Sequence, residues 1–192
     1  MIKIESLKDY IEIISSKDLE KLATKIYMIT DCLCELYPKH KEWYFTKQLP
    51  ATINCEERNI LFSRNPLNNN EIVSVACLKK DKKEKKICTL YVCEKYRGLG
   101  IGSSIIEESM MWLGTTKPLI TIADSKLDMF KPIIDKYNWE LTEIVSSIYN
   151  DKSQELCFNG TLTKNNNDMT ENQFYSRTIK TLNNRIQNFN CK

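Results

Sequence analysis

The chain has 192 residues, of which 42% are hydrophobic and 28% are charged, as in an ordinary globular protein long enough to bury a core. A formal net charge of +3 is too small for a typical nucleic-acid-binding protein. No apolar run approaches membrane-spanning length, and the N-terminus lacks the apolar stretch of a signal peptide, so we expect a cytoplasmic protein with no membrane partner.

The first element is predicted to be an amphipathic helix from Lys17 to Leu36. Its apolar residues recur at three- and four-residue steps. Ser15 or Ser16 is a suitable N-cap, and Pro38 ends the pattern. The segment from Trp43 to Pro50 mixes aromatic and basic residues, and we interpret it as irregular.

Three strands are predicted next, joined as a meander. They cover Asn59–Ser63, Glu71–Leu78 and Ile87–Val92. The turn cluster Asn65–Asn70 joins the first two strands, and the charged segment Lys79–Lys86 joins the second to the third.

The second half is predicted to alternate helices and strands. A helical stripe ends at Gly114, a natural C-cap, and contains Ile105, Ile106, Met110 and Leu113. A strand at Leu119–Ala123, a helix at Leu127–Tyr137 and strands at Thr142–Tyr149 and Glu155–Leu162 follow. This order predicts an α/β layered domain with a mixed sheet.

The cysteines are expected to be reduced thiols. Cys32 and Cys34 are two residues apart but lack a second ligand pair, and His40 does not stand at zinc-finger spacing. Cys77 and Cys88 fall inside predicted strands, where cysteine behaves as a small apolar residue. We therefore expect no metal site.

A glycine segment lies between the third predicted strand and the following helix. Three of the five glycines of the chain, Gly98, Gly100 and Gly102, stand there beside Arg97. Free N–H groups at a helix start, together with the helix dipole, favour a phosphate or pyrophosphate. The spacing is neither that of a P-loop nor that of the dinucleotide fingerprint. A glycine-rich turn without a ligand is the alternative.

The segment Tyr91–Ser103 resembles the acetyl-CoA signature of the GNAT acetyltransferases. Arg97, Gly100 and Gly102 fill the three defining positions of that motif. The order of elements from about Asn59 to Leu162 resembles the family more weakly. The resemblance implies a mixed, mostly antiparallel sheet whose central parallel strand pair splays around CoA, with helices on both faces.

The resemblance also implies where acetyl-CoA binds. A backbone amide near Tyr91 or Val92 would polarise the thioester carbonyl, and an amine acceptor would attack directly. The pantetheine arm would lie between the strands Ile87–Val92 and Leu119–Ala123. The pyrophosphate would be held by the backbone amides of Gly98, Leu99, Gly100, Ile101, Gly102 and Ser103.

The catalytic residues implied by the resemblance are incomplete. Ser125 stands where many relatives carry an asparagine that contributes to the cofactor site, and Ile134 stands where many carry a tyrosine that protonates the thiolate. Tyr137, three residues on, is the candidate substitute, with a core tyrosine as the alternative. Glu94 and Asp124 are candidate bases acting through a water, with a solvated charge and a helix cap as their alternatives.

The function implied by the resemblance is acetyl-CoA-dependent N-acetyl transfer to an amine on a small molecule, a protein or an aminoacyl-tRNA. The alternative is a non-catalytic or degenerate domain that serves as an interaction module. We expect an acetyltransferase domain at 1–163, with a helical part at 1–58 and a CoA-binding core at 59–163. We also expect residues 164–192 to form a polar linker and an amphipathic helix, which would dock on its own domain, a second copy or a partner.

Overall fold

The computed structural model describes residues 2–68, 70–150 and 153–162. The chain divides into two compact units, Met1–Thr116 and Lys117–Lys192. The linker and amphipathic helix predicted for residues 164–192 lie outside the described residues. The described residues of each unit are taken in turn below.

The N-terminal part of the first unit is helical. Ser15 caps the first long helix, because its hydroxyl accepts a hydrogen bond of 3.2 Å from the Asp18 amide. The elements of this part are β1 (Ile4–Ser6), α1 (Ser16–Met28), α2 (His40–Trp43) and α3 (Leu49–Asn54).

Helix α1 is shorter than the predicted Lys17–Leu36. The Thr30 amide and the Thr30 hydroxyl both donate to the Tyr27 carbonyl, at 2.7 and 2.8 Å. This three-residue spacing tightens the chain, which continues as a 3₁₀ helix over Asp31–Glu35. The prediction was correct for the first three turns and wrong for the last part.

The prediction of an irregular segment from Trp43 to Pro50 is wrong. A π-helical turn, Tyr44–Gln48, joins α2 to α3 without a break, and Pro50 is the second residue of α3. Tyr44 is only 1% exposed, and its hydroxyl donates to the Ala23 carbonyl at 3.0 Å. Tertiary burial therefore organises a segment whose local pattern is not helical.

The sheet of the first unit contains the three predicted strands, each slightly longer than expected. They are β2 (Arg58–Asn65), β3 (Glu71–Lys80) and β4 (Lys85–Val92). Strand β1 pairs with β2, β2 with β3, and β3 with β4, all antiparallel.

The two faces of this sheet have different partners. Helix α1 and the π-helical turn pack on the face that carries Ile60, Phe62, Val75 and Cys77. Val75 is paired with Tyr91, so Tyr91 belongs to that face. Helix α4 (Ile101–Leu113) is close to Val92 on the other face, since a Cβ added at Gly102 would lie 3.9 Å from Val92 Cγ2.

The second unit contains β5 (Leu119–Ala123), α5 (Leu127–Tyr137), β6 (Leu141–Ser146) and β7 (Gln154–Phe158). Strand β7 pairs antiparallel with both β5 and β6. Strands β6 and β7 end earlier than predicted, because Ser147 and Asn159 adopt left-handed backbone angles, with φ of 57° and 61°. The predicted α/β class with a mostly antiparallel sheet is confirmed.

Among the described residues, none of the helices is both long enough and apolar enough to cross a membrane.

Candidate functional site

The glycine segment forms the amino-terminal end of α4. Gly98 and Gly100 have φ of +75° and +80°, a left-handed conformation that strains any residue with a Cβ. Gly100 is the N-cap residue and supplies no side-chain cap to the helix. The first amides of a helix have no acceptor within it, and they carry the positive end of the helix dipole. This end of α4 is therefore suited to an anion.

The space around these glycines is open. A Cβ added at Gly98 or at Gly100 would meet no atom within 4 Å. Neither glycine is needed to avoid a clash within the protein, so the left-handed backbone conformation is what favours glycine there. Gly102 differs, since its backbone is helical and an added Cβ would make only ordinary contact with Val92.

The remaining residues of the segment divide into buried and accessible ones. Ile101 is 4% exposed and anchors the first turn of α4 in the core. Leu99 is 69% exposed, and Ser103 is partly exposed. The amides from Gly98 to Ser103 thus lie on a short segment that the buried Ile101 anchors from within.

Arg97 holds the loop to the end of β4. Its Nε–H donates to the Val92 carbonyl at 3.0 Å, and Nη1 donates to Glu94 at 3.2 Å. The guanidinium also lies 5.8 Å from the centre of the Tyr91 ring. Two of its donors are therefore used to shape the loop, while its charge stays beside the glycines.

Tyr91 and Val92, the predicted thioester-binding positions, occupy the last two residues of β4. The pKa of the Tyr91 hydroxyl is raised to about 12. Burial is the main cause, and a hydrogen bond with Cys32 is the second. This phenol is therefore protonated at neutral pH. Burial also raises the pKa of the neighbouring Cys93 thiol, which makes it a poor nucleophile.

Glu94 lies within the 3₁₀ turn that follows β4. Its side chain is 82% exposed and forms an ion pair with Arg97 at 3.2 Å. The carboxylate is accessible to water, as a water-mediated base requires, but its described partner is the arginine that shapes the loop.

The other candidates lie in the second unit. Asp124 and Ser125 follow β5 directly and are exposed, and the Asp124 carboxylate accepts a 2.8 Å hydrogen bond from the Ser125 amide. Tyr137 ends α5, stacked on Trp139 with ring centres 6.1 Å apart. Ile134, three residues before Tyr137 on α5, is only 3% exposed.

Sequence reasoning missed one set of residues beside the loop, which includes Glu71 and Tyr96. The Tyr96 hydroxyl donates to the Glu71 carboxylate, although the two residues lie 25 positions apart in the sequence. No local motif therefore contains both.

Among the residues that the structure describes, no cluster of three or more His, Cys, Asp or Glu side chains suits a metal ion.

The comparison with protein families gives one match. Residues 21–117 match the sequence model of the acetyltransferase (GNAT) family. This range includes the second half of α1, strands β2 to β4, the glycine segment and all of α4. A comparison with curated proteins finds no match.

The comparison with solved structures agrees with the family match. A putative GNAT acetyltransferase from Desulfovibrio desulfuricans superposes with a TM-score of 0.58 at 7% identity, covering 82% of this chain and 97% of the other. Arabidopsis thaliana Naa50, in complex with the bisubstrate analogue CoA-Ac-MVNAL, gives 0.54 at 19% identity, covering 82% and 96%. For nourseothricin acetyltransferase, matched at a TM-score of 0.47 and 10% identity, the alignment covers 53% of this chain and 64% of that one. The chain belongs to the GNAT family of acetyltransferases.

Proposed function

We propose that the protein is an N-acetyltransferase that transfers an acetyl group from acetyl-CoA to an amine by direct attack. The observation that supports it most is the amino-terminal end of α4, with two left-handed glycines, open space around both and no side-chain cap. Uncapped amides and a helix dipole suit the pyrophosphate of CoA.

The residues of the loop have separate tasks in this proposal. The amides from Gly98 to Ser103 hold the pyrophosphate, and Arg97 keeps the loop in shape. A backbone amide at Tyr91 or Val92 donates to the thioester carbonyl, where negative charge develops during attack. Acetyl-CoA supplies an acyl carbon that is open to attack by an amine.

The acid and the base are also proposals. Glu94 and Asp124 are both exposed, as water-mediated removal of a proton from the amine requires. Ser125 takes the place of the family asparagine near the cofactor. Tyr137 is the candidate proton donor to the departing thiolate.

The acceptor is an amine whose molecular context stays open among a small molecule, a protein and an aminoacyl-tRNA. Naa50 is bound to an analogue that joins CoA to a peptide. That neighbour makes a protein amine a sensible first test for this chain, although the identity of 19% supports only the fold.

A second candidate function is a CoA-binding domain without catalysis. Buried Ile134, in place of the tyrosine that many relatives use as an acid, favours it. The two candidates share the CoA site and differ only in turnover.

Calorimetric titration with acetyl-CoA tests the proposed site, using two matched variants. Gly100→Ala and Gly114→Ala each place a Cβ on a left-handed residue, at opposite ends of α4. Similar strain at both positions predicts a similar loss of stability, about 1 kcal/mol each. Only Gly100→Ala introduces a methyl group into the proposed pyrophosphate cradle.

We expect the wild type and Gly114→Ala to bind acetyl-CoA alike. We expect Gly100→Ala to bind at least about ten-fold more weakly, since the methyl group displaces the phosphate from the amides. A folded wild type that binds no acetyl-CoA would refute the proposal. Equal weakening in both variants would mean that general destabilisation, and not the cradle, causes the loss.

A further inference from the structure

The loop between β4 and the glycines is held in place by side-chain contacts with Glu71, the first residue of β3. The Tyr96 hydroxyl donates to Glu71 Oε2 at 2.8 Å. The Lys95 ammonium lies 3.0 Å from Glu71 Oε2 and 2.9 Å from Oε1. One carboxylate therefore contacts both residues that precede Arg97.

The turn between β2 and β3 supports this contact. The Asn68 amide group donates to Glu71 at 2.6 Å. The Asn65 amide group donates to the Tyr96 hydroxyl at 3.1 Å, so that hydroxyl both accepts and donates. Four side-chain hydrogen bonds or ion contacts thus join Asn65 and Glu71 to Lys95 and Tyr96 of the loop. A fifth, from Asn68, fixes the Glu71 carboxylate from its own side.

Two different residues attach the loop to the sheet. Arg97 attaches it to the Val92 carbonyl at the end of β4. Glu71 attaches it to the start of β3, next to the β2–β3 turn. The left-handed glycines come directly after these two attachments. Glycine is the most flexible residue in an unfolded or loose segment, so a loop with two of them gains most from neighbours that restrict it.

We propose that Glu71 is a positioning residue that orders the acetyl-CoA-binding loop before the ligand arrives. This inference rests on the proposed function, because it assigns a ligand to the loop. A loop that is already ordered spares the ligand the entropy cost of ordering it, and this gain appears as affinity. The hydrogen bonds and ion pair of Glu71 go to Asn68, Lys95 and Tyr96, so it acts on the glycines through Lys95 and Tyr96.

The charge state of Glu71 suits this role. The hydrogen bond from Lys95, followed by that from Tyr96, holds the pKa of the Glu71 carboxyl below its usual value. Glu71 is therefore ionised throughout the neutral range. A single exposed ion pair contributes little, but a carboxylate that accepts from an ammonium, a phenol and an amide at once makes several charge-assisted hydrogen bonds.

The test compares Glu71→Gln with Glu84→Gln. Glu84 pairs with Lys79 in the β3–β4 turn, at the opposite end of β3, and provides a matched loss of one ion pair away from the loop. We expect Glu71→Gln to raise the acetyl-CoA Kd about five-fold or more. It should also speed hydrogen exchange at the amides of residues 98–103 in the ligand-free protein. Glu84→Gln should change neither quantity.

A Tyr96→Phe variant and the double variant with Glu71→Gln separate positioning from general stability. Since Tyr96 and Glu71 form one network, we expect their effects on Kd to be less than additive. Unchanged exchange at residues 98–103 in Glu71→Gln, or an equal rise of Kd in Glu84→Gln, would overturn the proposal. A wild type that fails to bind acetyl-CoA refutes the proposed function instead, while the exchange comparison still measures the attachment.

Discussion

At the scale of single residues, His40 is a clear case of burial that controls ionisation. It is the only histidine of the sequence and is 6% exposed. Its Nε2 lies 3.0 Å from the Thr30 hydroxyl, and its ring stacks against Tyr27 and Trp43 with centres 5.9 Å away in both cases. Burial lowers its pKa, against a smaller opposing effect of Asp31.

We predict that stability falls between pH 7 and pH 5 because of His40. The unfolded chain binds a proton near the ordinary histidine pKa of about 6.5, whereas the folded protein resists it, so acid favours unfolding. Urea unfolding at both pH values should show a smaller acid loss in His40→Gln than in the wild type. Equal losses in the two proteins would contradict a neutral buried histidine.

At this scale, the sequence alone identified the glycines of the loop but not Glu71, whose side chain holds the loop in place. Gly98 and Gly100 stand out because glycine is rare in this chain and lies where a strand meets a helix. Glu71 is one of many surface-type charges in the sequence. Its contact with Tyr96 spans 25 residues, and only the paired strands bring the two side chains together.

At the scale of elements, α4 has an open amino end and a carboxyl end held by lysines. Lys80 donates to the Trp112 carbonyl at 3.1 Å, and its ammonium lies 4.1 Å from the centre of the Trp112 ring. Lys85 donates to the Gly114 carbonyl at 2.9 Å. Positive charge at the end of a helix complements its dipole, so both lysines stabilise α4.

We predict that Lys80→Met lowers the free energy of unfolding by about 1 kcal/mol, through loss of the carbonyl contact and the cation–π contact. Lys83→Met is the control, since Lys83 is exposed in the nearby turn. Urea unfolding of both variants measures the difference. A loss of stability no larger in Lys80→Met than in Lys83→Met would show that the helix end does not depend on this lysine.

Elements were predictable where the local pattern agreed with burial. The strand Leu119–Ala123 and the helix Leu127–Tyr137 have the predicted bounds. Strand β1 was missed, because three residues are too few for a pattern and pairing with β2 defines them. The segment from Trp43 to Pro50 became helical through contacts with α1 that no local window contains.

At the scale of the whole molecule, several tyrosine hydroxyls have raised pKa values. Burial is the leading cause at Tyr27, Tyr44 and Tyr91, and a hydrogen bond to Glu5 is the leading cause at Tyr10. An unfolded tyrosine titrates near pH 10. Together these groups give the folded protein fewer ionised tyrosines than the unfolded chain at alkaline pH.

We predict that the temperature of the thermal unfolding midpoint decreases as the pH is raised above 10. A raised folded pKa stabilises the protein below the unfolded value, and that contribution is lost as pH rises toward the folded one. Tyrosinate absorbance during unfolding at pH 11 should rise together with the loss of structure. Complete ionisation of the tyrosines with a midpoint near 10 in the folded protein would contradict this account.

The fold class of the whole molecule followed from the order of its elements, since a meander followed by alternating helices and strands allows few layered arrangements. The proposed anion site followed from the glycines at one strand–helix junction, and acetyl-CoA binding there stays a prediction. The proposed bases Glu94 and Asp124 could not be assigned in the same way, because they are exposed carboxylates whose roles would depend on a bound amine.

Acetyl transfer itself is the most direct test of the central claim. The measurement is the release of the free CoA thiol from acetyl-CoA in the presence of peptides, small amines or aminoacyl-tRNA, by the wild type and by Gly100→Ala. We predict amine-dependent release by the wild type and at least about a ten-fold lower kcat/KM for acetyl-CoA in the variant. Tight binding of acetyl-CoA without release in any acceptor class would contradict the enzyme and favour the non-catalytic domain.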